Sequence, residues 1–591
     1  MENVNRRTFL KAAGMTALPV SAHARSIGNS SGPAKASSLK FEKKYRLIYN
    51  DDGGSSSVLE PPLSPEQWVA ATLGQIAGTR VEALSWPVGV NGSYVMHYPT
   101  RIPEGEVAGD SLRPETGVKL ESAWWWRYVK CIRSLIEQGH DPMKLMIDGA
   151  HQAGIDVWIH IRQNDWHHVR GESTADPKHF LNFMAGRFWR DHPEWRIGRA
   201  GLGGWPEGVQ VSEAAIDFQD FAQEPVRQYR IDIVQEVASR FNVDGIELDF
   251  MRCPYFFKKS QVPQMTPVMT GYIRQIRQLL NRLGKERGRP IGLSARVPWT
   301  IQGALSIGLD AEAWVRQELL DQLVPSPFFG MTLDADVSEW IALGSRYGCR
   351  IYPCIEESYK AGIAVEGGVP GLQWVDLERA RATALNFWNA GADGVYLFNW
   401  PDRGRNINTH PGLTELHDAS VLQRKNKRYV VGRKSERAAW PFCELPRTIP
   451  ARLTRNEPVN LTLPVSDDLL GNRDQVDTVR LCLLLENLTS FDRLEVVLNG
   501  EKVGELMNPI RPGQHVPHAT VGSLMTWQYY NLKGHPPKRG RNEIQVRLLE
   551  RNKDFEQPWA DCPLVLSDVE LEIKYRWPWT DWKPPTKGAF L

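Results

Sequence analysis

Between Tyr45 and about residue 425 the chain alternates short apolar runs with helical stretches, and this alternation constrains its fold more than any other feature. The runs are RLIYNDD (46–52), VEALSWPV (81–88), IDVWIHIRQND (155–165), FNVDGIELDF (241–250), IGLSARVP (291–298), LLDQLVPS (319–326), RIYPCIEES (350–358) and DGVYLFNW (393–400). After the first run, Ser64-Pro65-Glu66-Gln67 supplies an N-cap, a proline at the first helical position and a capping-box residue, which predicts a helix to about Gly78. Long helical patterns also cover 123–153 and 225–241. Eight strand-helix units in succession predict an α/β fold, a (β/α)8 TIM barrel with long loops, over 41–428. A doubly wound sheet is the competing architecture. It would more often carry a Gly-rich phosphate turn after its first strand, and Gly53-Gly54 does not have that form.

Beyond about Val430 the texture changes to short alternating runs such as TVRLCLLLE, RLEVVLNGEKVGE, NEIQVRLLER and DVELEIKYR, separated by turn signals such as Asn499-Gly500. These predict a C-terminal all-β sandwich over 429–591. At the other end, Arg6-Arg7 followed by Phe9-Leu10-Lys11, a weakly apolar run and Ala22-His23-Ala24 resembles a twin-arginine export signal over 1–24. That resemblance implies a periplasmic or secreted protein. Residues 25–40 then read as a flexible linker. No later run is long and apolar enough to predict a membrane span. A net charge of +2 on 591 residues argues against a nucleic-acid partner. Seven scattered cysteines with no C-x-x-C exclude a disulfide scaffold and a zinc-finger pattern, leaving room for one or two bridges. Oligomeric state is not readable.

Barrels of this kind keep their chemistry at the C-terminal ends of the strands. Side chains two apart on a strand share a face. The third run therefore presents Trp158, His160 and Arg162 together, with Asp165 just beyond. The fourth presents Glu247 and Asp249, the fifth Ser294 and Arg296, the seventh Tyr352, Cys354 and Glu356, and the eighth ends in Asn399 and Trp400. Two carboxylates on one buried strand face are costly unless a polar cleft receives them. Glycoside hydrolysis needs two carboxyl groups, one as acid and the other as nucleophile or base. Asp249 and Glu356, on opposite sides of the barrel mouth, are the expected catalytic pair. Glu247 is either the alternative partner or a member of an internal ion pair with Arg162 or Arg296. His160, Arg162, Asp165, Arg296 and Asn399 are expected to hold substrate. Trp86, Trp299 and Trp400, with Trp158 and Trp166, are expected to offer faces for sugar rings.

VDGIELDFMRCP resembles the D-G-I-x-L-D-x-x-R-x-P segment of the glycoside-hydrolase-like family 10 barrels. Ala222-Gln223-Glu224-Pro225-Val226-Arg227 is similar to the N-P-x-V-R helix start that precedes it in that family, and Trp314 with Leu319–Ser326 is similar to its W-x-x-x-x-L-x-D-x-I-x-P strand. The likeness covers roughly 45–425. It implies an exported carbohydrate-active barrel with Asp249 at the family's strand-four acid. Cys253 departs from the family's usual aromatic, and Glu247 stands where the motif varies. The expectation is a glycoside hydrolase acting on a polysaccharide or oligosaccharide, with no cofactor and no metal. Two other readings compete. One is a metal-dependent hydrolase or deacetylase using Asp51, Asp52, His160, Asp165, His167 or His168, whose spacing fits no H-x-H or H-E-x-x-H pattern. The other is a barrel that binds carbohydrate without catalysis.

Overall fold

The computed structural model describes residues 39–53, 55, 59–90, 95–110, 123–165, 184–198, 216–327, 330–362, 372–401, 410–434, 447–504, 506–509, 525–556 and 562–576. The export signal, nearly all of the linker, Trp166, His167 and His168 lie outside them. Each of the eight apolar runs contains a strand. These are β1 (Leu47–Asn50), β2 (Ala83–Pro87), β3 (Asp156–Arg162), β4 (Gly245–Asp249), β5 (Gly292–Pro298), β6 (Gln322–Ser326), β7 in two pieces (Arg350–Ile351 and Cys354–Glu356) and β8 (Val395–Phe398). All their pairings are parallel. In sheet order, the upper piece of β7 is followed by β8, then β1 to β6, then the lower piece of β7. The two edges of this curled sheet are thus pieces of one stretch of chain, separated only by Tyr352 and Pro353. The Tyr352 amide donates to Leu323 on one side, and the Pro353 carbonyl accepts from Tyr396 on the other.

Helices form the crossovers: α1 (Pro65–Ile76), α2 (Ala123–Glu137), α3 (Pro142–Gln152), α4 (Glu224–Arg240), α5 (Val262–Arg287), α6 (Ala311–Arg316), α7 (Ser338–Tyr347) and α8 (Leu377–Ala390). The Ser64–Gln67 capping box at the start of α1 is formed as its sequence predicts. The helical stretch at 123–153 is two helices. Gly139 takes a left-handed φ of 85°, and Asp141 then caps a new helix that has Pro142 in its first turn.

Alternation along the strands divides the core in two. Leu84, Trp86, Val157, Ile159, Ile246, Leu248 and Leu293 face the helices. Ile48, Ala83, Trp158, Val324, Tyr352, Cys354, Tyr396 and Phe398 form a separate cluster on the other face. Trp158 fills the floor of that second face because β4 and β5 begin with glycine. A Cβ on Gly245 or Gly292 would lie 2.2 Å from its ring.

The rest of the chain contributes β9 (Lys427–Val430), β10 (Pro458–Val465), β11 (Val476–Glu486), β12 (Arg493–Leu498), β13 (Glu501–Lys502), β14 (Met525–Asn531), β15 (Gly540–Glu550) and β16 (Val565–Tyr575). They build two antiparallel sheets, β9-β16-β11-β14 and β10-β15-β12-β13. Leu461, Leu463, Val546 and Leu548 from one sheet join Leu481, Leu483, Leu571 and Ile573 from the other in one apolar core. Asn499 and Gly500, at φ 52° and 88°, make the tight turn between β12 and β13. The six described cysteines are free thiols.

Candidate active site

Directly above the Trp158 floor lies a row of polar side chains in register. His160, Glu247 and Ser294 pair across β3, β4 and β5, and Ser294 pairs with Gln322 on β6. Glu247 is 2% exposed. Its Oε1 accepts from Ser85 Oγ at 3.0 Å and from the Tyr396 hydroxyl at 2.7 Å. Burial pushes its carboxyl up to about 7, against the pull of Tyr396; Asp249 adds to the rise, and Arg296 and Ser85 oppose it. Nδ1 of His160 lies 3.1 Å from Asn50 Nδ2 and 3.2 Å from Ser85 Oγ. Burial, with Arg162 adding to it, lowers this imidazole to about 3, so it is neutral. Its Nε2 meets no hydrogen-bonding partner among the described residues.

One turn of the pleat higher, the row is charged. Arg162, Asp249 and Arg296 are in register across β3, β4 and β5. Asp249 Oδ1 accepts from the Met251 amide at 2.8 Å, and its Oδ2 lies 3.1 Å from Arg296 Nη1. The same guanidinium places Nη2 3.6 Å from Glu356 Oε1, donates from Nε to Ser326 Oγ at 3.1 Å and lies 4.0 Å above the Phe398 ring. Burial works against the charge of Arg296, but Asp249 and its other neighbours outweigh it and its pKa is raised. Glu356 is the most open of the group at 6% exposure. Burial raises its carboxyl to about 7, opposed by Arg296 and Arg252 and assisted by Glu357 and Asp249. Beside this group, Arg162 pairs with Asp165 at 2.7 Å and Asp52 at 3.1 Å.

Seven of the sequence-predicted residues therefore come together: His160, Arg162, Asp165, Glu247, Asp249, Arg296 and Glu356. The ion pair that the sequence suggested for Glu247 goes instead to Asp249. Asn399 lies close by, but its Oδ1 accepts from the Asp52 amide at 3.3 Å and so shapes the end of β1. Asp51 turns away, accepting from the Thr72 hydroxyl at 2.7 Å and from its own loop.

The tryptophans are a correction. Trp86 shares the helix-facing side of β2 and packs between Trp68 and His97, with ring centroids 6.1 and 4.6 Å away. Trp299 is 1% exposed, and its carbonyl accepts from Trp340. Trp400 donates to the Val375 carbonyl at 2.8 Å and presses on Gly412. None of the three offers an open face. Asn50, Ser85 and Tyr396, which surround Glu247 and His160, were missed. Extending the same alternation to β1, β2 and β8 would have found them.

No known family model matches this chain, and no curated protein matches it. Among solved structures it is similar to the alpha-L-fucosidase isoenzyme 2 from Paenibacillus thiaminolyticus, at 14% identity and a TM-score of 0.37, over 65% of this chain and 50% of that one. It thus spans about half the length of that fucosidase. It is also similar to the PgaB (BpsB) glycoside hydrolase domain from Bordetella bronchiseptica, at 12% identity and a TM-score of 0.35, over 64% of this chain and 99% of that one. A GH27 b-L-arabinopyranosidase from Geobacillus stearothermophilus matches at 12% identity and a TM-score of 0.32, over 85% of this chain and 96% of that one.

Proposed function

We propose that this chain is a glycoside hydrolase acting on a polysaccharide or oligosaccharide. In this reading the parallel sheet closes through β7 as a (β/α)8 barrel that carries the site, and the two antiparallel sheets form a β-sandwich. The observation that carries the proposal is one guanidinium shared by two unlike carboxyl groups. Arg296 meets Asp249 at 3.1 Å and Glu356 at 3.6 Å. That sharing keeps the two carboxyl groups no more than about 9 Å apart, within the upper limit of glycosidase pairs. Glu356, raised to about 7, is still about half protonated in neutral solution and donates that proton to the leaving glycosidic oxygen. Asp249, salt-bridged to Arg296, supplies the negative charge that either attacks the anomeric carbon or draws a proton from water. Neutral His160, whose Nε2 meets no hydrogen-bonding partner among the described residues, lies fully buried one row below Asp249 and supports Glu247 from beneath the proposed site. The mechanism requires no cofactor. The Arg6-Arg7 segment supports export to the periplasm or beyond.

The test is reducing-sugar release from plant, algal and bacterial polysaccharides by wild type and Asp249→Asn. The variant keeps an acceptor for the Met251 amide and leaves Arg296 its contact with Glu356. It is expected to fold, to lose about 3 kcal/mol of stability and to turn over about a thousandfold or more slowly. A loss of less than about tenfold would end the assignment of Asp249. Binding without release by wild type would make the barrel a carbohydrate-binding one.

A further inference from the structure

The chain that leaves Glu356 is tied at its far end to the C-terminal sheets. The upper piece of β7, Cys354–Glu356, pairs only with β8, because the β6 ladder pairs with Arg350–Ile351 below it. Among the described residues its backbone ladder lies on one side, and just beyond the rim Met331 bridges the chain, its amide donating to the Ser358 carbonyl at 2.9 Å and its carbonyl accepting from the Lys360 amide at 3.3 Å. Beyond Glu356 the chain forms Ser358–Lys360, paired antiparallel with Leu372–Trp374. Six residues past Glu356, the Gly362 amide donates to Asp568 Oδ2 on β16 at 2.7 Å. Asp568 is buried and lies 3.7 Å from Arg433. A Cβ on Gly362 would meet Ser567 Oγ at 2.4 Å and Asp568 Oδ2 at 2.8 Å, so the backbone is pressed against β16. A second tie runs through Tyr359. The Arg379 guanidinium lies 5.0 Å from its ring and bonds Glu570 of β16 at 2.6 Å.

A catalytic group has to be held to within about half an ångström by the residues behind it. Resting on the reading of Glu356 as the acid, we infer that Asp568 is a positioning residue, fixing through the Gly362 amide the arm that carries Glu356. The neighbouring contact between Lys574 and Glu378 ties β16 to α8 and leaves this arm untouched. The C-terminal sheets are then part of the catalytic apparatus, although no residue of theirs meets the reacting atoms.

The experiment reads Glu356 directly and needs no substrate. The Glu356 carboxyl, faced by Arg296, Arg252, Glu357 and Asp249, is titrated by difference infrared spectroscopy against Glu356→Gln, and amide exchange is followed over 357–362. Asp568→Ala is expected to move the Glu356 midpoint by about half a unit or more and to speed exchange in the arm about tenfold, with β4 and β5 unchanged. Asp568→Asn keeps an acceptor for the Gly362 amide and is expected to restore both. Lys574→Met is expected to change neither. Should Asp568→Ala fail to fold, Gly362→Ala displaces the same arm and is read in the same way. An unmoved Glu356 midpoint, or an equal shift in Lys574→Met, would overturn the inference. The glycosidase reading fails separately, if the wild-type chain releases no sugar.

Discussion

Two clusters of buried carboxylates lie on different parts of this molecule, and they are built to opposite rules. On β16, Glu570 bonds Arg379 at 2.6 Å and Arg428 at 2.9 Å, and Glu572 meets Arg428 at 2.7 Å and Arg480 at 2.5 Å. Each carboxylate there has two guanidinium partners. At the rim of the parallel sheet, Asp249 and Glu356 share one guanidinium, and among the described residues Glu247 bonds two hydroxyls and no cation. A carboxylate with two cations has its charge satisfied and holds two elements together. At the rim, burial raises the carboxyls of Glu247 and Glu356 to about 7, so each still holds a share of its proton near neutral pH and has something to transfer. On the proposed reading, the supply of cations separates the working cluster from the structural one where burial alone does not.

The largest expected effect follows from removing the acid. Glu356→Gln is expected to lower kcat by about 100- to 10,000-fold on a polysaccharide. The loss should shrink on an aryl glycoside, whose leaving group needs little protonation. Wild-type activity should fall as pH rises through about 7, where Glu356 gives up the proton it donates. That fall should be absent in the variant. A pH–rate profile of both proteins checks this. If the alkaline fall survives in Glu356→Gln, Glu247 is the titrating acid and the pair must be redrawn.

Glu247 gives a smaller effect, read as stability. Its folded pKa of about 7 lies above the ordinary value of 4.5, so between those pH values the folded chain holds a proton that the unfolded chain releases. Stability from this group therefore falls as pH rises from 4.5 to about 7, and the full penalty applies above that. The penalty is on the order of 3 kcal/mol. Urea unfolding at pH 5 and pH 8 should show wild type losing more than Glu247→Gln by roughly that amount. Equal losses would mean that Ser85 and Tyr396 stabilise the carboxylate as well as a cation would.

Both predictions stand on side chains that alternation alone placed. The order of eight runs and the parity of His160 and Arg162, Glu247 and Asp249, Ser294 and Arg296, and Tyr352, Cys354 and Glu356 were legible, because a parallel strand has a period of two and no other freedom. Trp400 shows where that logic stops. It has the parity of Tyr396 and Phe398, which face inward, but Asn399 turns left-handed at φ 52° and throws the indole onto Gly412. Trp86 fails for a simpler reason, since its own alternation with Ser85 places it against the helices. The partition of Arg296 between Asp249 and Glu356 could not be read at all. It depends on distances across the sheet between residues far apart in the chain, which no local pattern encodes. The tie from Asp568 to Gly362 is of the same kind.

The smallest effect separates the clusters from the other side. Glu572→Gln leaves Arg428 its bond to Glu570 but removes the carboxylate from Arg480. The two arginines are 21% and 31% exposed, so water screens much of what is lost. The expected cost is about 1–2 kcal/mol, read as a lower urea midpoint. Turnover should stay within about twofold of wild type, because Glu572 holds β16 to its neighbours and touches neither the arm beyond Glu356 nor the rim. A rate that fell far while the midpoint scarcely moved would mean that the charge of Glu572 reaches the rim. The two-cation carboxylates would then belong to the catalytic machinery as much as Asp249 does, and cation supply would no longer tell the two kinds of cluster apart.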